Sequence, residues 1–242
     1  MSGLVLSLFP GIGLLDMAFE EEGFCVVRGP DLLWGGDIRS FHPPSGVFDG
    51  VIGGPPCQIF SRMRHVNPKC GEKIGNLIPE FERCVREAEP TWFVMENVPD
   101  APETFGGDGV HSELVRDVWV GGATNRLRRF SYGGPGRFQV EQLALHAPDP
   151  EHAALAGGGG RPVPVALIQD GKGGHKKKRG AMKNLGYSTT AAFAGHCRKQ
   201  GLPDGFLADA PFTVAGKIKA IGNGVPLPMG RAIAKAVKRA TS

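Results

Sequence analysis

The chain has 242 residues, 41% of them hydrophobic, and a formal net charge of +4, enough for one compact catalytic domain with a small second lobe and too little for two large domains. No apolar run approaches the roughly 18 residues that span a bilayer. The five cysteines are odd in number, widely spaced and free of any CxxC pair, which excludes a disulfide framework and a structural zinc site. A soluble, cytoplasmic protein in a reducing compartment is expected, with neither a membrane nor a metal as partner. The start of the chain lacks the basic stretch of a signal peptide.

Short apolar runs alternate with helical patterns through the first half of the chain. Leu4–Phe9 predicts a buried strand, and Gly11-Ile12-Gly13 then leads into a helix through Leu14, Leu15, Met17, Ala18 and Phe19. Cys25-Val26-Val27 and Phe48–Ile52 predict two further strands, the second ending at Gly53-Gly54-Pro55-Pro56. Residues 77–88 place Leu77, Phe81, Cys84, Val85 and Ala88 on one helical face, and Trp92–Met95 is a strand ending at Glu96-Asn97. This alternation implies a largely parallel α/β sheet with functional groups at the carboxyl ends of its strands. From residue 133 to 187 the chain is rich in Gly and Pro, and Val163–Ile168 is its one clear strand candidate. An amphipathic helix over Met229–Val237 closes the chain, with Ile233 and Val237 facing inward and Lys235, Lys238 and Arg239 outward.

Several motifs carry chemistry. Phe9-Pro10-Gly11-Ile12-Gly13 lets the backbone turn tightly and approach a ligand at a helix amino end, although a glycine turn follows many α/β strands. In Gly53-Gly54-Pro55-Pro56-Cys57-Gln58 two prolines fix the backbone ahead of a lone thiol. A thiolate held in one place is a nucleophile, whereas a lone cysteine is otherwise a small buried hydrophobe. The following segment, Phe60 to Lys73, carries Arg62, Arg64, His65, Lys69 and Lys73 against one acid, Glu72, and suits a phosphate backbone. Glu96 brings a carboxylate to the rim that a parallel sheet shares with Cys57. Between Gly171 and Pro203 there is no acid, while Lys172, Lys176, Lys177, Lys178, Arg179, Lys183, Arg198 and Lys199 are all basic. Such a cluster contacts phosphates, or else is a disordered basic loop.

Taken in order, Phe9-x-Gly11-x-Gly13, Gly36-Asp37-Ile38, Pro55-Pro56-Cys57-Gln58-x-Phe60-Ser61, Glu96-Asn97-Val98, Arg126-Leu127-Arg128 and Gly222-Asn223-Gly224-Val225-Pro226 resemble the DNA (cytosine-5) methyltransferase family. The resemblance covers residues 3–132 and about 188–240. It implies a Rossmann-like fold dependent on S-adenosylmethionine, with a mostly parallel sheet and a small irregular target-recognition lobe. Residues 1–132 would be the first part of the catalytic domain, 133–187 the recognition region, and 188–242 the return segment with the terminal helix.

The resemblance implies roles as well. Cys57 would add to C6 of a cytosine flipped from duplex DNA. Glu96 would bind the N3 edge, and Arg126 and Arg128 would hold the base. Phe9, Gly11 and Gly13 would surround the methionine part of the cofactor, Asp31 the ribose, and Asp37 and Ile38 the adenine. Gly54, Pro56 and Leu77 would flank the sulfonium, and Asn223 and Val225 would close the pocket. Ser61, Arg62, Arg64, Lys176, Lys177, Lys178 and Arg179 would contact DNA. The chain would act as a monomer in a bacterial or phage-infected cell, and its size resembles the minimal enzymes carried by bacterial viruses.

Three features depart from the family pattern. Asp31 precedes Asp37 by so few residues that a helix is expected to be missing between them, Thr124 stands where Gln is usual, and Gly224 replaces a small Ala or Ser. Methylation of tRNA by the same chemistry, a non-catalytic DNA-binding relative, and an altered cofactor or substrate are the alternatives.

Overall fold

The structure is a computed structural model and describes residues 3–56, 60, 74–142 and 190–242. Among the described residues there are six strands, β1 (Leu4–Leu8), β2 (Cys25–Arg28), β3 (Gly50–Gly53), β4 (Trp92–Asn97), β5 (His111–Arg116) and β6 (Leu127–Gly133). They form one sheet in the order β2-β1-β3-β4-β6-β5. The pairs β1–β2, β1–β3 and β3–β4 are parallel, while β6 runs antiparallel to both β4 and β5. Reversal of β6 alone places its amino end on the rim that holds the carboxyl ends of β1, β3 and β4. The expected mostly parallel α/β sheet is therefore present.

Strands β1, β3 and β4 are buried on both faces, which is why each is a nearly unbroken apolar run. Alternate residues serve different cores. Val5, Ile52, Trp92, Val94, Phe130 and Tyr132 face one layer, built from α1 (Leu14–Glu21) and the terminal helix through Leu15, Phe19, Met229, Ile233 and Val237. Leu6, Leu8, Val51, Phe93 and Met95 face the other, where α2 (Ile78–Ala88) supplies Phe81, Cys84, Val85 and Ala88. Phe19 stacks on Trp92 with ring centroids 6.1 Å apart. Helix α1 crosses the terminal helix so closely that a Cβ on Gly230 would lie 2.9 Å from Ala18 Cβ.

After the segment at 143–189 the chain re-enters as α3 (Thr190–Lys199), α4 (Val214–Asn223) and α5 (Leu227–Ala240). Phe193, Cys197, Leu202, Ile218, Ile221 and Leu227 form a third core with Leu14 and Ala18 of α1. The amphipathic pattern at Met229–Val237 thus belongs to a longer helix, α5, whose outward Lys235 and Lys238 approach Glu22.

Between β2 and β3 the described chain forms only two 3-10 turns, Leu32–Trp34 and Ile38–Ser40. Among the described residues no strand lies beyond β2, and Leu32, Leu33 and Trp34 are 52%, 42% and 59% exposed. Arg83 of α2 ties this short segment down, donating from Nη2 to Ile38 O at 2.8 Å and Phe41 O at 3.0 Å. Its other nitrogens engage Glu80 and Glu87. Among the described residues no helix is long and apolar enough to cross a membrane, and no cluster of His, Cys, Asp or Glu could hold a metal ion.

Candidate active site

The turn after β1 is shaped by three left-handed residues, Phe9 (φ 57°), Gly11 (φ 56°) and Gly13 (φ 79°). For Phe9 that conformation costs about 1–3 kcal/mol, a strain that proteins concentrate at ligand-binding turns. A Cβ on Gly11 would meet nothing within 4 Å, so the turn borders open space. Gly13 begins α1 without a side-chain cap, leaving first-turn N–H groups free to meet an anionic group. Beneath the turn, the buried Asp16 carboxylate accepts from Ser7 Oγ at 2.5 Å and Arg28 Nε at 2.9 Å. Burial nonetheless pushes its pKa above the usual carboxylate range, the hydrogen bonds and the Arg28 charge acting in opposition.

Asp31 is fixed against this turn. Oδ2 accepts from Gly11 N at 2.9 Å and Oδ1 from Leu33 N at 2.7 Å, which caps the first 3-10 turn. Trp34 adds a hydrogen bond from Nε1 to Gly11 O at 2.7 Å, and its ring lies 5.8 Å from that of Phe212. Asp37 caps the second turn, and the Arg39 backbone N–H holds its carboxyl below the usual range. Ile38 and Leu77 are buried in the α2-side core at 3% exposure each, and Val225 lies in the opposite core. Their side chains therefore shape the rim from beneath. Asn223 is exposed at the carboxyl end of α4.

The second half of the site lies at the ends of β4 and β6. Glu96 faces Phe130 across the ladder, which brings Arg128 into the diagonal position on the same face. Arg128 Nε reaches Glu96 Oε1 at 2.7 Å, with both side chains largely buried. Glu96 Oε2 would lie 3.0 Å from a Cβ on Gly54, so the carboxylate packs tightly against the Gly54 backbone. Asn97, itself buried, points Nδ2 at Pro55 O at 3.5 Å. The backbone that leads toward residue 57 is thereby set against Glu96. Arg126 is 7% exposed and donates from Nη1 to Gly222 O at 2.9 Å, joining the start of β6 to the end of α4.

The structure therefore brings Phe9, Gly11, Gly13 and Asp31 together at one turn, and Gly54, Glu96 and Arg128 together at the neighbouring strand ends. Cys57, Ser61, Arg62, Arg64, the Lys176–Arg179 cluster and the Val163–Ile168 strand candidate lie outside the described residues. The sequence motifs include Asn97 and Gln200 without a contact for either, and leave out Trp34, Asp117 and Arg129. Arg129, adjacent to the Arg126–Arg128 pair, donates to the carbonyls of Pro99 and Ala101 and so fixes the backbone just after Glu96-Asn97. Gln200 is buried and donates to Ile221 O at 2.5 Å and Gly224 O at 3.2 Å, holding the same α4 end that Arg126 contacts. For Arg129 the run of basic residues was itself a signal. Gln200 stands in Gln200-Gly201-Leu202-Pro203, which resembles the family's structural segment leading back to the catalytic lobe, but its contact is made across the fold and has no signal in the sequence. Gly224 has a packing reason: a Cβ there would lie 2.7 Å from Leu14 Cδ1.

Residues 35–104 match the family model described as C-5 cytosine-specific DNA methylase. Over 127 residues the chain is 35% identical to the type II methyltransferase M.AquIA of Picosynechococcus sp., covering 40% of this chain and 49% of that protein. Over 153 residues it is 34% identical to the type II methyltransferase M.FnuDI of Fusobacterium nucleatum, covering 53% and 42%. The chain thus spans less than half the length of these relatives. Among solved structures it resembles a candidate DNA modification methyltransferase encoded within an E. coli prophage, with a TM-score of 0.64, 20% identity and 99% of each chain covered. It also resembles the Entamoeba histolytica methyltransferase EhMeth, with a TM-score of 0.61, 13% identity and coverage of 100% and 99%. At those identities the two likenesses establish the fold, a Rossmann-like methyltransferase fold.

Proposed function

We propose that this chain, a homologue of the C-5 cytosine-specific DNA methylases over residues 35–104, methylates C5 of cytosine in duplex DNA. The observation that carries the reading is the Glu96–Arg128 pair at 2.7 Å, seated over Gly54 three residues ahead of Cys57. A carboxylate held by a guanidinium and sheltered from water keeps a fixed geometry, which is what recognition of one edge of a base requires.

The residues at the Phe9–Gly13 turn fit S-adenosylmethionine. Free N–H groups at the start of α1 suit a carboxylate, Asp31 retains acceptor capacity for ribose hydroxyls, and the space at Gly11 admits a ligand. Trp34, an exposed ring tied to Gly11 O, offers a flat apolar wall at the same turn. When bound, S-adenosylmethionine supplies an electrophilic methyl group.

In this reading Cys57 forms a bond to C6 of the flipped base, and the displaced π electrons make C5 nucleophilic. Glu96 holds the N3 edge as charge develops in the ring, and Arg128 keeps Glu96 oriented. Once C5 carries the methyl group, a base removes the C5 proton and the electron pair expels the Cys57 thiolate. Domain roles follow the same reading: residues 1–132 and 188–242 build the catalytic unit, and 133–187 select the target.

Incubating the purified protein with labelled cofactor and, in parallel, random-sequence duplex DNA or tRNA, followed by bisulfite sequencing, tests substrate and product together. Label in cytosine at a recurrent sequence is expected. Label in tRNA and none in DNA would overturn the choice of substrate. Glu96→Gln should slow single-turnover methylation by about 10²-fold, the scale of a positioned acid or base, and an unchanged rate would count against the role given to Glu96.

A further inference from the structure

Asp117 is a completely buried carboxylate that the methylation chemistry leaves without a task. It follows β5 directly and opens the hairpin to β6. Its Oδ2 accepts two hydrogen bonds from one residue, Thr124 N at 2.9 Å and Thr124 Oγ1 at 2.7 Å. Its own N–H donates to Arg126 O at 2.9 Å, and Val118 N donates to Thr124 O at 3.0 Å. Gly122 makes room for this arrangement, since a Cβ there would lie 1.9 Å from Asp117 Oδ1.

Thr124 is the residue that departs from the family pattern in front of the arginine pair, and it is 1% exposed. A buried carboxylate is costly to keep, and closing a hairpin does not require one. What distinguishes this hairpin is its cargo. Arg126 leaves it toward Gly222 O, and Arg128, two residues on and on the same face, meets Glu96. Burial raises the Asp117 carboxyl above its usual range, against the Thr124 hydrogen bonds and the nearby Arg126 charge.

We propose that Asp117, acting through Thr124, is a positioning residue that fixes the backbone and guanidinium of Arg126 and thereby sets the placement of the Arg128–Glu96 pair. The inference rests on the methyltransferase reading of that pair. It adds two residues to the machinery, neither of which touches the base.

The test compares Thr124→Val, which keeps shape and loses the hydroxyl, with Thr124→Ser, which keeps the hydroxyl, and with Asp117→Asn. Single-turnover methylation of duplex DNA at saturating cofactor is measured beside thermal unfolding, well below each midpoint. Thr124→Val should lose about tenfold or more in rate, because small misplacement of reacting groups is heavily penalised. Thr124→Ser should recover most of the loss. A Thr124→Val protein that melts earlier but methylates within twofold of the parent would show a structural role alone and overturn the inference, whether or not Asp117→Asn folds. A parent that methylates its duplex while Thr124→Val is unimpaired sinks only this inference. A parent that methylates no cytosine sinks the proposed function and this inference with it.

Discussion

Single residues here do two kinds of work, and their protonation separates them. Burial raises the carboxyls of Asp117 and Asp16 above their usual range, whereas hydrogen bonds from Arg39 lower Asp37. For a carboxyl raised in the folded state, the native protein holds its proton more tightly than the unfolded chain. The associated stability is complete below the unfolded value of 3.8 and is lost as pH rises through the folded value. Asn at 117 has no proton to lose. The stability of Asp117→Asn relative to the parent should therefore improve as pH is raised from about 3.8 toward neutrality. Urea unfolding at a series of pH values measures this, and a difference that stays constant or moves the opposite way would contradict it. A gain in stability with a loss of rate would mark Asp117 as kept for placement.

At the scale of elements, the segment between β2 and β3 shows how a shortened chain stays ordered. Two 3-10 turns occupy residues 32–34 and 38–40, and Arg83 of α2 holds the second through Ile38 O and Phe41 O. Arg83→Met should keep the aliphatic packing but speed amide exchange at 38–42 and weaken S-adenosylhomocysteine binding by about tenfold, since a ligand must then order what Arg83 no longer fixes. Calorimetry with hydrogen exchange checks both, and unchanged affinity would separate the segment from the cofactor.

The same scale explains what the sequence disclosed. Strands β1, β3 and β4 were legible because strands buried on both faces are apolar throughout, and Gly-Pro or Glu-Asn punctuation marked their ends. Strand β5, His-Ser-Glu-Leu-Val-Arg, was not legible. It is an edge strand with only Val115 buried, so no alternation of apolar residues survives. The Arg126–Arg128 motif was visible, but its placement depends on β6 running antiparallel, which is set by pairing with β4 and β5. Thr124 was visible only as a departure in front of the arginine pair, and Asp117 belongs to no motif, because the pair acquires its meaning from a contact across the hairpin.

Across the whole molecule, the fold joins two stretches of chain around one rim. Arg126, at the entry to β6, and Gln200 both hold the end of α4, so the chain after residue 190 is tied back to the sheet. What lies between, residues 143–189, contains the Lys176–Arg179 cluster. Exchanging those four residues for Gln should weaken duplex binding and reduce the slope of log K against log salt by about 3–4, at roughly 0.9 per phosphate neutralised. An unchanged slope from fluorescence anisotropy titrations would remove the cluster from the DNA interface.

The placement of a nucleophilic sulfur beside Glu96 and Arg128 is the premise on which the chemistry stands. A duplex bearing 5-fluorocytosine within the methylated sequence reads it directly, because fluorine at C5 blocks the proton removal that releases the enzyme. With S-adenosylmethionine present, the parent protein should form a covalent complex that survives denaturing electrophoresis, and Cys57→Ala should form none. A complex that persists in Cys57→Ala, or a parent that methylates the normal duplex yet never traps the fluorinated one, would contradict the account.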